Sequence, residues 1–309
     1  MPTRLLALDY GFDIVYGPEI IAQRIIGSER VEQPNGDVHY IKNGKVDFAT
    51  GPKEKNKMVF QLGCSDPKLA IQAARTLKKD IDVIDLNCGC PKPFSTKGKM
   101  GAALLEDPEL LCSILQALKT EIPQVTCKIR VFDDMDRTLD LVKRIKQVGV
   151  AALAVHVRTR NCKPKHPARW HYFPQIKQVL GDTPLIANGD LFDDADIQKL
   201  KGLGCDSFMA GRGAIRNLSM FKLTGKLDGD QIATDYLKKA VQCKHHYQNT
   251  KWVLLAMYPH TSSEKFKQWS QSKSLSELCK WHGLEISEDN TPDPNYDCDF
   301  PYIPRKDLL

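Results

Sequence analysis

Residues 85–105 read DLNCGCPKPFSTKGKMGAALL, two cysteines followed by prolines and glycines directly after an apolar, strand-like run. A disulfide across a C-x-C pair is disfavoured, and zinc sites commonly set two residues between paired cysteines, so neither accounts for the stretch. A chemical task at a strand end is the third option. Cys90 stands between Gly89 and Pro91, where a tight turn stiffened by proline holds a side chain out over the strand end. A thiol with an ordinary pKa near 8.5 is mostly protonated at neutral pH. It can therefore donate a proton as a general acid, or act as a nucleophile once activated. Cys88 reads as a buried structural cysteine, as do Cys64, Cys112, Cys127 and Cys205 within their apolar patterns.

The basic residues repeat the arrangement. In QVTCKIRV at 124–131, Lys128 and Arg130 alternate with Cys127 and Ile129, so on a strand both bases point to one side. A lysine aimed inward is costly unless an anion, an electron-rich ring or a partner carboxylate meets it. His156 with Arg158 repeats the pattern on the next apolar run, and Asn188-Gly189-Asp190 offers amide and backbone donors on the one after. MAGRGAIRN at 209–217 sets Gly211 and Arg212 where a strand end runs into a helix start. Backbone N–H groups and an arginine there suit a phosphate. Taken with Lys128 and Asn188, this implies a phosphorylated cofactor.

The elements that must position these groups are legible as periodicity. Nearly continuous apolar runs recur at 13–16, 57–62, 81–87, 124–131, 150–156, 183–188 and 205–210, the pattern of strands buried on both faces in a parallel sheet. Helical spacing lies between them at 67–79, 107–119, 136–148 and 193–203. The alternation predicts an α/β fold of the TIM (β/α)8 type. Gln61, Asn87, Lys128, His156 and Asn188 fall at the C-terminal ends of successive strands, the rim where barrel enzymes assemble their sites. Seven strands are read rather than eight, and the chain opens in a helix-like segment at 3–10 that would normally follow a strand. The first strand is therefore expected to be missing from this chain. Two Asn-Gly pairs within 30–50 predict a hairpin insertion. The domain reading is a catalytic barrel over 1–222, a small helical domain over 223–284 with Trp252, Trp269 and Trp281 as packing anchors, and a disordered tail over 285–309.

Composition sets outer bounds. The chain has 309 residues, 42% hydrophobic and 27% charged, which suits a globular protein. Its apolar runs are far shorter than the roughly 20 residues a membrane span needs. No membrane segment and no metal site are expected. Ten scattered cysteines suit a reducing, cytoplasmic setting. Net charge is +6, and residues 222–284 carry ten lysines against five acids, which makes a polyanionic partner plausible beside the plainer reading of solvated helix faces.

The stretches LNCGCP with STKGKMGAALL, VTCKIR, AVHVRTR, IANGD and MAGRGA, in this order, resemble the tRNA-dihydrouridine synthases, and most closely the eukaryotic type that modifies position 20 of the D-loop. The resemblance implies a flavin enzyme. FMN would be held by Gln61, Lys128, His156, Asn188, Gly189, Asp190, Gly211 and Arg212, and Cys90 would be the catalytic acid. Asn87, Arg130 and Arg158 would lie on the substrate side. NADPH would be the reductant and the partner would be tRNA, bound through its D-loop and elbow. Val157 and Leu218 stand where the family commonly has glycine and proline, and the family's opening strand with its Ala-Pro-Met segment is not found. The alternative expectation is a truncated, flavin-poor tRNA-binding product without activity. A third is another FMN barrel, related to the dihydroorotate dehydrogenases and acting on a small molecule.

Overall fold

The computed structural model describes residues 1–222, 224–258 and 262–286. In chain order the strands are β1 (Val15–Tyr16), β2 (Ile20–Ile21), β3 (Glu29–Glu32), β4 (Val38–Lys42), β5 (Lys45–Thr50), β6 (Met58–Gly63), β7 (Val83–Cys88), β8 (Gln124–Arg130), β9 (Ala152–His156), β10 (Leu185–Asn188) and β11 (Ser207–Met209). The helices are α1 (Pro2–Asp9), α2 (Ala22–Ile25), α3 (Pro67–Leu77), α4 (Pro93–Thr96), α5 (Pro108–Lys119), α6 (Met135–Val148), α7 (Phe173–Leu180), α8 (Asp194–Gly202), α9 (Arg212–Arg216), α10 (Gly229–Gln242), α11 (Tyr247–Met257), α12 (Glu264–Gln271) and α13 (Leu275–Lys280). The chain divides into two compact units.

One unit comprises residues 16–28 and 55–211. Its sheet runs β1-β6-β7-β8-β9-β10-β11, with β2 also paired to β6. The ladders from β6 to β11 are parallel. Strands in chain order joined by crossover helices make this a TIM-type α/β fold. All seven runs read from the sequence are strands of this sheet. Among the described residues no ladder joins β11 to β1, so the sheet has one position fewer than an eight-stranded barrel.

The crossover helices start where the chain supplies a cap. Asp66, Asp107, Asp134 and Asp193 each accept a backbone N–H at the first turn of α3, α5, α6 and α8, satisfying donors that the helix itself leaves unpaired. Strand residues of one parity, Phe60, Leu62, Ile84, Leu86, Cys127 and Ile129, are fully buried. The other parity carries Gln61, Asp85, Asn87, Lys128 and Arg130. Alternation thus sorts packing from chemistry on the same strands. Helix α7 has no counterpart in the sequence reading; its eight residues, FPQIKQVL, give too short a repeat to stand out.

The other unit comprises residues 1–15, 29–54 and 212 onward. Strands β3, β4 and β5 form an antiparallel sheet. The Asn43–Gly44 turn has positive φ at both residues, as a type I′ hairpin requires. Helix α1 is tied to this sheet by Arg4, which donates to the buried Glu54 and to the Ala49 carbonyl at 2.7 Å. The helical segment α10–α13 packs round Trp269, which is fully buried against His282 and Tyr258. Trp281, expected as a second anchor, is instead 56% exposed, because it follows the last turn of α13 rather than lying on its buried face. The tail expected at 285–309 lies, from residue 287 on, outside the described residues.

Candidate active site

The strand register assembles the site. Gln61 is level with Asp85, Asn87 with Lys128, Arg130 with His156, and His156 with Asn188. Five strands therefore present polar side chains at adjoining C-terminal ends.

At the floor lies Asp85, which no sequence signal singled out and which is fully buried. It accepts from Gln61 Nε2 at 2.9 Å and from Thr126 Oγ1 at 2.7 Å. Burial pushes its carboxyl up to about 6, against the pull of those two hydrogen bonds. Gln61 in turn accepts from Asn87 Nδ2 at 2.9 Å. The Asn87 Oδ1 takes the backbone N–H groups of Gly89 and Cys90, each at 2.9 Å. Asn87 is 7% exposed, and both ends of its amide are engaged. Asn87 thus shapes the loop that carries Cys90.

Arg130 fixes the same loop from the next strand, donating to the Gly89 carbonyl at 2.9 Å and to the Thr159 carbonyl at 3.0 Å. A close backbone approach occurs at Gly101. With φ +57, a Cβ there would lie 2.4 Å from Ser95 Oγ and 2.6 Å from the Cys90 carbonyl. That carbonyl accepts from the Ala102 N–H at 2.9 Å, so only glycine lets the chain return across the cysteine. Cys90 itself is partly exposed. Burial, with the nearby Glu19 charge second, pushes its thiol up to about 12. It is proton-bearing across the whole neutral range.

Lys128 is the site's cation. Its surface is partly exposed, yet the side chains crowding its ammonium remove enough water to pull its pKa down to about 8, with Arg130 repelling it and Asp85 opposing the shift. Among the described residues no hydrogen bond or ion pair within 4.0 Å reaches that ammonium. A desolvated cation without a protein partner is a group built to meet something else.

Beyond Lys128, the exits of β9 and β10 are braced together. Arg158 is 2% exposed and donates to Asp190 at 2.6 Å, to the His166 carbonyl at 2.8 Å and to His156 Nε2 at 3.1 Å. A guanidinium can only donate, so His156 Nε2 is the acceptor and its ring proton sits on Nδ1. Asp190, held at φ +57, also accepts the Ala168 N–H at 2.8 Å. Arg158 is thus a buried brace between these strand exits, and the Asp190 carboxylate is an acceptor already engaged. Gly189, at φ +116, has the His156 ring against its α-carbon: a Cβ would come within 2.9 Å of Cδ2. Trp170 Nε1 pins its carbonyl at 2.8 Å, and Asn188 Nδ2 donates to the Met209 carbonyl at 2.8 Å. Gly211 ends this unit with open space at its α-carbon, and Arg212 begins α9 of the other unit.

Residues 36–278 match the family described as dihydrouridine synthase. The chain belongs to that family. Among similar curated proteins, the tRNA-dihydrouridine(20) synthase of Schizosaccharomyces pombe is 36% identical over 300 residues, covering 92% of this chain and 63% of that protein. The enzyme of the same name from Saccharomyces cerevisiae is 33% identical, covering 90% of this chain and 79% of its own length. Both carry NAD(P)+ in their names. This chain thus spans under two thirds of the first of them.

The residues present fit a flavin mononucleotide. Lys128 offers a cation without a hydrogen-bonding protein partner for an electron-rich ring, and the Gly189 backbone approaches closely beside His156. Among the described residues, no cluster of three or more His, Cys, Asp or Glu could hold a metal ion, and no helix is long and apolar enough to cross a membrane.

Proposed function

We propose that the chain is an FMN-dependent, NADPH-driven tRNA-dihydrouridine synthase that reduces the C5–C6 double bond of a D-loop uridine, position 20, in tRNA. The observation that carries this reading is the pairing, at adjacent strand ends, of a proton-bearing thiol, Cys90, with the unpartnered cation Lys128, in a chain of this family. Gln61, Lys128, His156, Asn188 and the backbone of Gly189, Asp190 and Gly211 would hold FMN. Held by these residues, FMN would supply hydride chemistry at C6, with NADPH as the source of electrons. Cys90 gives its proton to C5, which becomes a far stronger base than water as the other bond forms. Arg130 and Asn87 keep the loop rigid, so the sulfur meets the base at a fixed point. Lys128 would stabilise negative charge on a flavin held there.

A uridine stacked in folded tRNA cannot reach a strand-end site, so it has to be extruded. The lysines of 222–284 supply backbone contacts for that complex. Scattered thiols, free in all nine described cysteines, suit work in the cytoplasm. The test is the purified chain with FMN, NADPH and unmodified tRNA. A yellow complex that survives gel filtration and a two-dalton gain at uridine 20 are expected. Cys90→Ala should keep the flavin and lower product formation by about 10²- to 10⁴-fold. Colourless protein that binds tRNA without forming product would overturn the reading.

A further inference from the structure

We propose that Glu19 is a positioning residue for Cys90, its carboxylate accepting the hydrogen bond of the thiol and holding the sulfur and its proton where a substrate base is met. The inference rests on the reading of Cys90 as the proton donor of a uridine reductase.

The geometry is local to one unit. Glu19 lies between β1 and β2, three residues after the strand end at Tyr16, and is partly buried. Its Oε1 accepts from Ser95 Oγ at 2.9 Å. Ser95 is itself fully buried, with its N–H on the Lys92 carbonyl at 3.1 Å. Ser95 Oγ also lies against Cys90: a Cβ at Gly101 would be 2.4 Å from that hydroxyl and 3.1 Å from Cys90 Cβ, which sets the Glu19 carboxylate beside the thiol, whose proton it disfavours losing. Glu19 is therefore held by a rigid hydroxyl on one side and faces the sulfur on the other. Gly63, at the end of β6, leaves the room: a Cβ there would come to 3.0 Å from Glu19 Oε1.

The charged groups facing this pair are few. Lys128 favours the Glu19 carboxylate, while Lys128 and Arg130 both feel the Cys90 sulfur. Burial pushes the Glu19 carboxyl upward, opposed by its bonds to Cys90 and Ser95. Negative charge beside a thiol disfavours the thiolate. The consequence is an acid that keeps its proton against water and oxidants, yet yields it to a carbon gaining negative charge.

The experiment is alkylation of Cys90 by iodoacetamide in the full chain across a pH series, resolved by peptide mass spectrometry, together with the pH profile of dihydrouridine formation. Glu19→Gln keeps the shape and removes the charge. Its Cys90 alkylation midpoint should fall by at least about one pH unit, which is about tenfold more thiolate at a fixed pH below it. The alkaline limb of the activity profile should move the same way. Glu19→Ala removes the carboxylate altogether and should move the midpoint the same way, and it carries the measurement if Glu19→Gln fails to fold. A folded Glu19→Gln chain whose Cys90 alkylates on the parent curve would overturn the proposal. Alkylation needs neither flavin nor tRNA, so the two readings fail separately. A shifted curve in a chain that forms no dihydrouridine supports the Glu19 role and removes the reductase, whereas product with an unshifted curve does the reverse.

Discussion

At the residue scale, the two groups that matter most have been moved away from their ordinary chemistry in opposite senses. Cys90 has lost solvent and faces a carboxylate, so it holds its proton more tightly. Lys128 has lost solvent and faces Arg130, with nearby Asp85 only partly offsetting this, so it holds its proton less tightly. The second carries a stability consequence with a definite sign. Since the folded pKa is depressed to about 8, the unfolded chain binds a proton that the folded one has released above that value, and stability rises as pH climbs from about 8 toward the ordinary lysine range. Lys128→Met should remove that slope and stabilise the flavin-free chain at pH 7 by about 1–2 kcal/mol, after discounting for partial exposure. It should also weaken FMN binding. Thermal melts from pH 7 to 10 with a flavin titration check this, and a lower melting temperature for the variant at pH 7 would count against it.

At the scale of elements, strand exits are stitched to each other by side chains from their neighbours. Arg130 of β8 holds the loop after β7, and Arg158 after β9 holds Asp190 after β10. Breaking the second stitch leaves a part-buried carboxylate that has lost its cation, a larger effect than losing a helix cap, which costs about 1 kcal/mol. Arg158→Met should therefore destabilise the chain by about 2–4 kcal/mol and free the His156 ring from its Nδ1-H tautomer. Urea unfolding measures the first and the histidine ¹⁵N chemical shifts the second. A variant as stable as the parent would show that the pair is incidental. That Arg158 and Asp190 are partners could not be read from their positions in sequence. They are 32 residues apart, and periodicity reports which face a side chain takes, not what stands opposite it.

At the scale of the whole molecule, the lysine-rich region is less charged in effect than in count. Of its ten lysines, Lys238, Lys239, Lys265 and Lys267 are in ion pairs. Lys244, Lys273 and Lys280 are the better candidates for phosphate contacts. If each meets one phosphate, changing all three to alanine should reduce the slope of log affinity for tRNA against log salt by roughly 2–3. Binding measured from 50 to 300 mM salt tests this, with an unchanged slope as the contrary result.

The sequence alone determined the strand-and-helix rhythm and the face on which each strand carries its polar residues, because these follow from periods of two and 3.6. It also marked the rim positions, since Gln61, Lys128, His156 and Asn188 each end an apolar run. Only the tertiary structure decided which of them are engaged by protein and which stand open to a ligand. Asn87, Arg158 and Asp190 are each held by partners from other strands and loops, whereas Glu19, Asp85 and Ser95 carried no local signal. Their roles come from register across separate strands and from the loss of water around them, and neither quantity exists until distant segments pack together.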